Sequence, residues 1–247
     1  MKANARYLGF CALFLCCTLL CSSLFYASNK RLLPLAADTA QDETPVIILD
    51  AGHGGEDGGA IGTNGIAEKE LNLALTSTLA CMLRGAGYTV VETRTEDKLL
   101  YDADTQKGHK KQGDLKNRLE FTKQYPSSIF ISIHMNTFPT PSCTGTQVWY
   151  SQNNEQSMEW ASAIQERVRE LLQPQNNRKI KAATSSIYIL KHAQTPAILV
   201  ECGFLSTPSE CERLCEREYR DALALTLFAA ICEKMQAQSC AAAENVV

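Results

Sequence analysis

The sequence contains no run of basic side chains, and its formal net charge is -3. It therefore has no electrostatic footprint for a nucleic acid, and nucleic acid is excluded as a partner. No internal repeat or low-complexity tract is present, which sets aside solenoids, propellers and disordered arrays. Histidine is scarce, with four residues in 247, so histidine chemistry must draw on His53, His109, His134 and His192. Cysteine is not scarce, at eleven, yet its spacing is not that of a small disulfide scaffold. Cys11, Cys16, Cys17 and Cys21 lie in an apolar N-terminal run. The others are Cys81, Cys143, Cys202, Cys211, Cys215, Cys232 and Cys240, an odd set that leaves at least one unpaired in a monomer. Most of them read as small buried hydrophobes. With 45% hydrophobic and 21% charged residues, the chain is globular in composition and long enough for one sizeable core plus an extension.

The extension is N-terminal. Lys2 and Arg6 precede an uncharged stretch from Tyr7 to Ala27, long enough to cross a bilayer as a helix. Phe25-Tyr26-Ala27 is a poor cleavage site and Cys21-Ser22-Ser23 a better one, so residues 1–27 read as a membrane anchor, with a cleaved signal peptide as the alternative. Either reading makes the rest of the chain extracytoplasmic. The polar residues 28–44 read as a linker, 45–236 as the folded domain and 237–247 as a flexible tail.

Within the domain, strand and helix signals alternate. "VIILD", "IFISIH" and "AILVE" are short apolar runs of the kind that buried strands give. "TQVWY", Tyr88 to Thr93 and "IYIL" are read as further strands. Leu71, Leu75, Leu79 and Met82 recur at helical spacing over Glu68 to Arg84, with Gly85 as a C-cap. Ala161, Ile164, Val168 and Leu171 do the same over Glu155 to Leu172. A short helix is expected over Asp114 to Lys123, capped by Asp114. A last helix is expected from Thr207-Pro208 to about Met235, with Glu210 closing a capping box. Helices between strands predict an α/β domain with helices on both faces of a largely parallel sheet, and sites in such sheets gather at the C-terminal strand ends.

Three strands end in residues suited to a metal. "VIILDAGHGG" delivers His53, "IFISIHMN" delivers His134 and "AILVECGF" delivers Glu201, while Glu68 opens the first helix. Two histidines and a carboxylate with an open fourth position make a catalytic zinc site, and a further carboxylate can move the proton. Taken singly, each residue has an ordinary explanation: a hydrogen-bonded histidine, or a glutamate that favours a helix N-terminus. A buried Glu201 is harder to explain that way, because an unpaired buried carboxylate is costly. Gly52, Gly54 and Gly55 would let the chain turn sharply and leave room for a substrate, and Gly58 and Gly59 extend that loop. His109 and His192 read as loop and surface residues.

At these residues the sequence resembles the zinc-dependent N-acetylmuramoyl-L-alanine amidases of the amidase-3 type. "LDAGHGG", "EKELNL", Thr93-Arg94, Arg118, "SIHMN" and "PAILVECGFLS" occur in order across roughly Pro45 to Gln236. The resemblance implies a single three-layer α/β/α domain around a mixed, mostly parallel sheet of about six strands. It implies that His53, Glu68 and His134 bind Zn2+, with Glu70 the competitor for Glu68, and that Glu201 is catalytic. Gly54, Gly55, Asn136 and Arg94 are the expected substrate-binding residues. The implied substrate is peptidoglycan, cut between the lactyl group of N-acetylmuramic acid and L-alanine. Short length, the N-terminal anchor and "SSIYILKHAQTPAILVE" look like the germination-specific, spore-cortex subtype. A general wall-turnover amidase and a wall-binding regulatory protein are the alternatives, and an activator protein is a further candidate partner.

Overall fold

The computed structural model describes residues 45–102, 108–140 and 142–244. The anchor or signal read over 1–27, the linker and the last three residues of the tail lie outside these. None of the helices among the described residues is long and apolar enough to cross a membrane.

The elements in chain order are β1 (Val46–Ala51), α1 (Glu68–Gly85), β2 (Val90–Glu92), α2 (Lys110–Gln124), β3 (Ser128–Asn136) and β4 (Gln147–Tyr150). They continue with α3 (Gln156–Leu171), β5 (Lys181–Ala182), α4 (Tyr188–His192), β6 (Ala197–Phe204), α5 (Pro208–Cys215) and α6 (Arg217–Glu244). The strands form one sheet in the order β2-β1-β3-β6-β4-β5. β2, β1, β3 and β6 run parallel, β4 opposes β6, and β5 runs with β4. The sheet is thus mixed and mostly parallel, as expected.

Alternation along the strands assigns the faces. Ile47, Leu49, Ile131, Ile133, Ile198 and Val200 pack with Leu75 and Leu79 of α1, Trp160 and Ile164 of α3, and Leu223 and Leu227 of α6. Ile48, Phe130 and Leu199 point the other way and pack with Leu119 of α2 and Ile189 and Leu190 of α4. Both faces are covered, which is why β1, β3 and β6 are continuous apolar runs in the sequence.

Several local expectations are corrected. "IYIL" is not a strand but the start of the short helix α4, with Ile189 and Leu190 buried on its inner side. Asp114 does not cap α2, which begins four residues earlier; its carboxylate instead accepts from Arg118 and from the Leu100 N–H. Thr207 does precede α5, but no capping box forms. The Thr207 hydroxyl donates to the Cys143 carbonyl, and Glu210 accepts from the Gly145 and Phe204 N–H groups. The single final helix is two, broken at Glu216, and α6 continues through much of the expected tail to Glu244. Gly85 ends α1 inside the helix, and Gly87, at φ +90°, makes the left-handed turn after it. Of the seven described cysteines, none of which is in a disulfide, only Cys202 and Cys211 are buried; Cys81 and Cys240 are exposed.

Candidate functional site

Chain direction brings the candidate residues together. β1 and β3 are parallel neighbours, so His53, just past β1, and His134, near the end of β3, lie at the same end of the sheet. β3 pairs with β6 so that His134 stands opposite Glu201. Glu68 enters at the N-terminus of α1, with its N–H bound to the Ala60 carbonyl.

Glu68 is the hub. It is 3% exposed, and its Oε1 lies 3.0 Å from His134 Nδ1 and its Oε2 3.2 Å from His53 Nε2. The Met135 N–H and the Asn72 amide also donate to Oε1, and the Ala60 N–H donates to Oε2. Burial alone would raise this carboxyl, but the two histidines outweigh it and hold it far below the ordinary glutamate value. Ligand atoms of His53, Glu68 and His134 lie within 4.8 Å of one another, the one such cluster found among the described residues. Two imidazole nitrogens and a carboxylate oxygen around one point can hold a divalent transition-metal ion. Glu70, the competitor for Glu68, is exposed.

Glu201 stands apart from the triad. Its Oε2 is buried and has no hydrogen-bond partner. Burial, reinforced by the nearby Glu68 charge against the pull of His134 and His53, pushes its carboxyl up to about 7. An orphaned carboxylate beside a cluster of ligands is the kind of perturbed group that active sites collect.

The loop that carries His53 is pinned from below. His53 has φ +61°, a left-handed conformation that a side chain disfavours by about 1 kcal/mol or more. Arg118 holds it there, donating to the His53 and Ala51 carbonyls at 2.7 Å each. Arg118 also pairs with Asp50 at 2.6 Å and Asp114 at 2.8 Å, and all three are buried. Burial would raise the Asp50 carboxyl, but Arg118, Ser132 and Thr93 together lower it.

Arg94, an expected substrate-binding residue, faces the backbone around the His53 loop. It is buried and donates to the carbonyls of Ala51, Gly52, Lys69 and Glu96. It is therefore a brace under the loop. Gly54 and Gly55 likewise pack against the 97–99 segment instead of opening a space: a Cβ on Gly54 would meet the Lys98 carbonyl oxygen at 2.2 Å, and the Gly55 N–H donates to Asp97. Room at the centre comes from other glycines. A Cβ on Gly52 would fall 2.2 Å from the His134 ring, and one on Gly59 2.5 Å from Glu68 Oε2. Asn136 ends β3, its side-chain carbonyl accepting from the Thr137 N–H. His109 and His192 are exposed and lie outside the cluster, as expected.

Two contributors were missed. Asn72, one turn after Glu68 on α1, donates to both Glu68 and the Gly52 carbonyl. Its i,i+4 spacing was a usable signal. Asp57 lies 3.0 Å from His53 Nδ1, an approach set by the tight Gly54–Asp57 turn, which has no periodic signature.

The sequence profile of Amidase_3, described as N-acetylmuramoyl-L-alanine amidase, matches residues 47–233. The germination-specific N-acetylmuramoyl-L-alanine amidase of Bacillus subtilis is 34% identical over 188 residues, covering 75% of this chain and 78% of that one. The CwlD amidase of Clostridioides difficile, solved in complex with the GerS lipoprotein, superposes with a TM-score of 0.74 at 35% identity, covering 78% of this chain and 98% of that one. The amidase AmiC2 of Nostoc punctiforme gives a TM-score of 0.67 at 26% identity over the same shares.

Proposed function

The chain belongs to the Amidase_3 family of N-acetylmuramoyl-L-alanine amidases, and from that premise we propose that it cuts peptidoglycan with a zinc ion held by His53, Glu68 and His134 and with Glu201 as the proton carrier. The observation that carries this reading is the placement of Glu68 between two histidine nitrogens, with Glu201 across the sheet from His134. The donor set fits zinc: nitrogen and oxygen ligands, three in number, leaving a position open. The partnerless Oε2 of Glu201 fits a group whose partner is supplied by the reaction.

Zinc, when bound, supplies Lewis acidity that polarises a carbonyl and makes water more acidic. Everything else falls to the protein. Glu68 and the two histidines hold a fixed geometry because Met135, Ala60 and Asn72 lock the carboxylate on both oxygens. Glu201 takes a proton from the attacking water at Oε2. As the carbon–nitrogen bond breaks, it delivers that proton to the departing L-alanine nitrogen, leaving a free amine on the stem peptide and a carboxyl on the lactyl group. Asn136, at the end of β3, is the one predicted substrate contact left after the glycines and Arg94 are assigned to the loop.

The setting we propose is the spore cortex, outside the membrane, with the N-terminal segment as anchor. The support is the likeness to the germination-specific and CwlD amidases. Because the CwlD amidase was solved with a lipoprotein, an extracytoplasmic activating partner is part of this reading. In test, Glu201→Gln retains stoichiometric zinc while turnover falls by about 100-fold or more, and His134→Ala loses zinc. Near-normal turnover in Glu201→Gln, or full zinc content in His134→Ala, contradicts the assignment.

A further inference from the structure

We propose that Asp57 is a positioning residue for the metal site: it accepts the Nδ1–H of His53 and so turns Nε2, the other ring nitrogen, toward the metal. The inference rests on the zinc reading above and adds a residue to it.

The geometry is specific. His53 Nδ1 lies 3.0 Å from Asp57 Oδ2, and His53 Nε2 lies 3.2 Å from Glu68 Oε2. Each ring nitrogen thus has its own carboxylate, and only Glu68 belongs to the ligand cluster. A neutral imidazole carries one proton. If Asp57 keeps it on Nδ1, the Nε2 lone pair is free for a metal; if not, the proton can sit on Nε2 and block coordination. A carboxylate behind a ligating histidine fixes tautomer and ring orientation and raises ligand basicity.

Asp57 is itself built in. Its N–H and carbonyl both pair with Gly54, at 3.0 and 2.9 Å, which folds residues 54–57 back on His53. Its Oδ1 accepts from the Gly59 N–H, and Lys111 of α2 lies 3.1 Å from Oδ2. The neighbouring pair Lys110–Glu56 ties the same loop to the same helix. Glu68 holds the ring at Nε2 and the His134 ring packs edge-on against it, so Asp57 is the group that holds it on the Nδ1 side.

The test is zinc affinity of the full-length protein, measured by competition with a chromophoric chelator, for wild type, Asp57→Ala, Asp57→Asn and His53→Ala. Asp57→Ala is expected to weaken zinc binding by about 10- to 100-fold, measured on protein whose metal-free form is shown to be folded by circular dichroism. Asp57→Asn keeps the shape but not the charge and is expected to weaken binding more than threefold. A loss of threefold or less in Asp57→Ala overturns the proposal; if that variant does not fold, Asp57→Asn decides by the same threshold. His53→Ala separates the two readings: if it binds zinc like wild type, the metal assignment itself fails, whereas loss in His53→Ala with none in the Asp57 variants removes only the role of Asp57.

Discussion

Glu201 is the residue at which the site and the stability of the fold conflict. Its carboxyl rises from 4.5 to about 7 because it is buried. A carboxyl raised on folding stabilises the fold fully below the unfolded value; that contribution is lost as pH rises through the folded one. Glutamine cannot ionise. In the presence of a chelator, Glu201→Gln should therefore melt like wild type at pH 4 and be more stable at pH 8, by up to about 3 kcal/mol. Thermal melts at the two pH values check this, and equal melting at pH 8 contradicts it. Gly52 makes a second prediction at this scale. Since a Cβ there would overlap the His134 ring at 2.2 Å, Gly52→Ala should fold but displace the ring, and zinc affinity should fall at least 10-fold, within the range seen for disturbed metal ligands.

Among the elements, α2 is a strut for the β1 end. Arg118 links it to Asp50, to Asp114 and to the carbonyls of Ala51 and His53. Arg118→Leu strands the buried Asp50 without its cation and should cost about 3–5 kcal/mol by urea unfolding, partly recovered in the double variant with Asp50→Asn. Because Asp50 is held below 3.8, the wild-type contribution is present above that pH and is lost as pH falls below it. The element pattern also explains what was legible in the sequence. β1, β3 and β6 were legible because strands covered on both faces leave unbroken apolar runs. "IYIL" gives the same signal over four residues, too few to separate a buried strand from one turn of helix. β5 has two residues and no pattern. Asp114 and Glu210 looked like caps because acids near helix starts usually are, but tertiary partners claimed both. His53, His134 and Glu201 could be grouped because sheet topology sends strand ends to one place, whereas Glu68, at a helix start, joined them through the family resemblance. The bracing by Arg94 could not be read, since a guanidinium facing backbone carbonyls has the same sequence signature as one facing a substrate.

For the whole molecule, these parts belong to an N-acetylmuramoyl-L-alanine amidase with one mixed-sheet domain, whose proposed site gathers past β1, near the end of β3 and on β6. The same zinc chemistry would serve a deacetylase, so the products distinguish them. The most direct measurement is mass spectrometry of purified peptidoglycan digested by the protein, with and without a zinc chelator. The account predicts chelator-sensitive release of stem peptides that begin with a free L-alanine amine. Intact stem peptides still attached to muramic acid, with new free amines on the glycan, would contradict it.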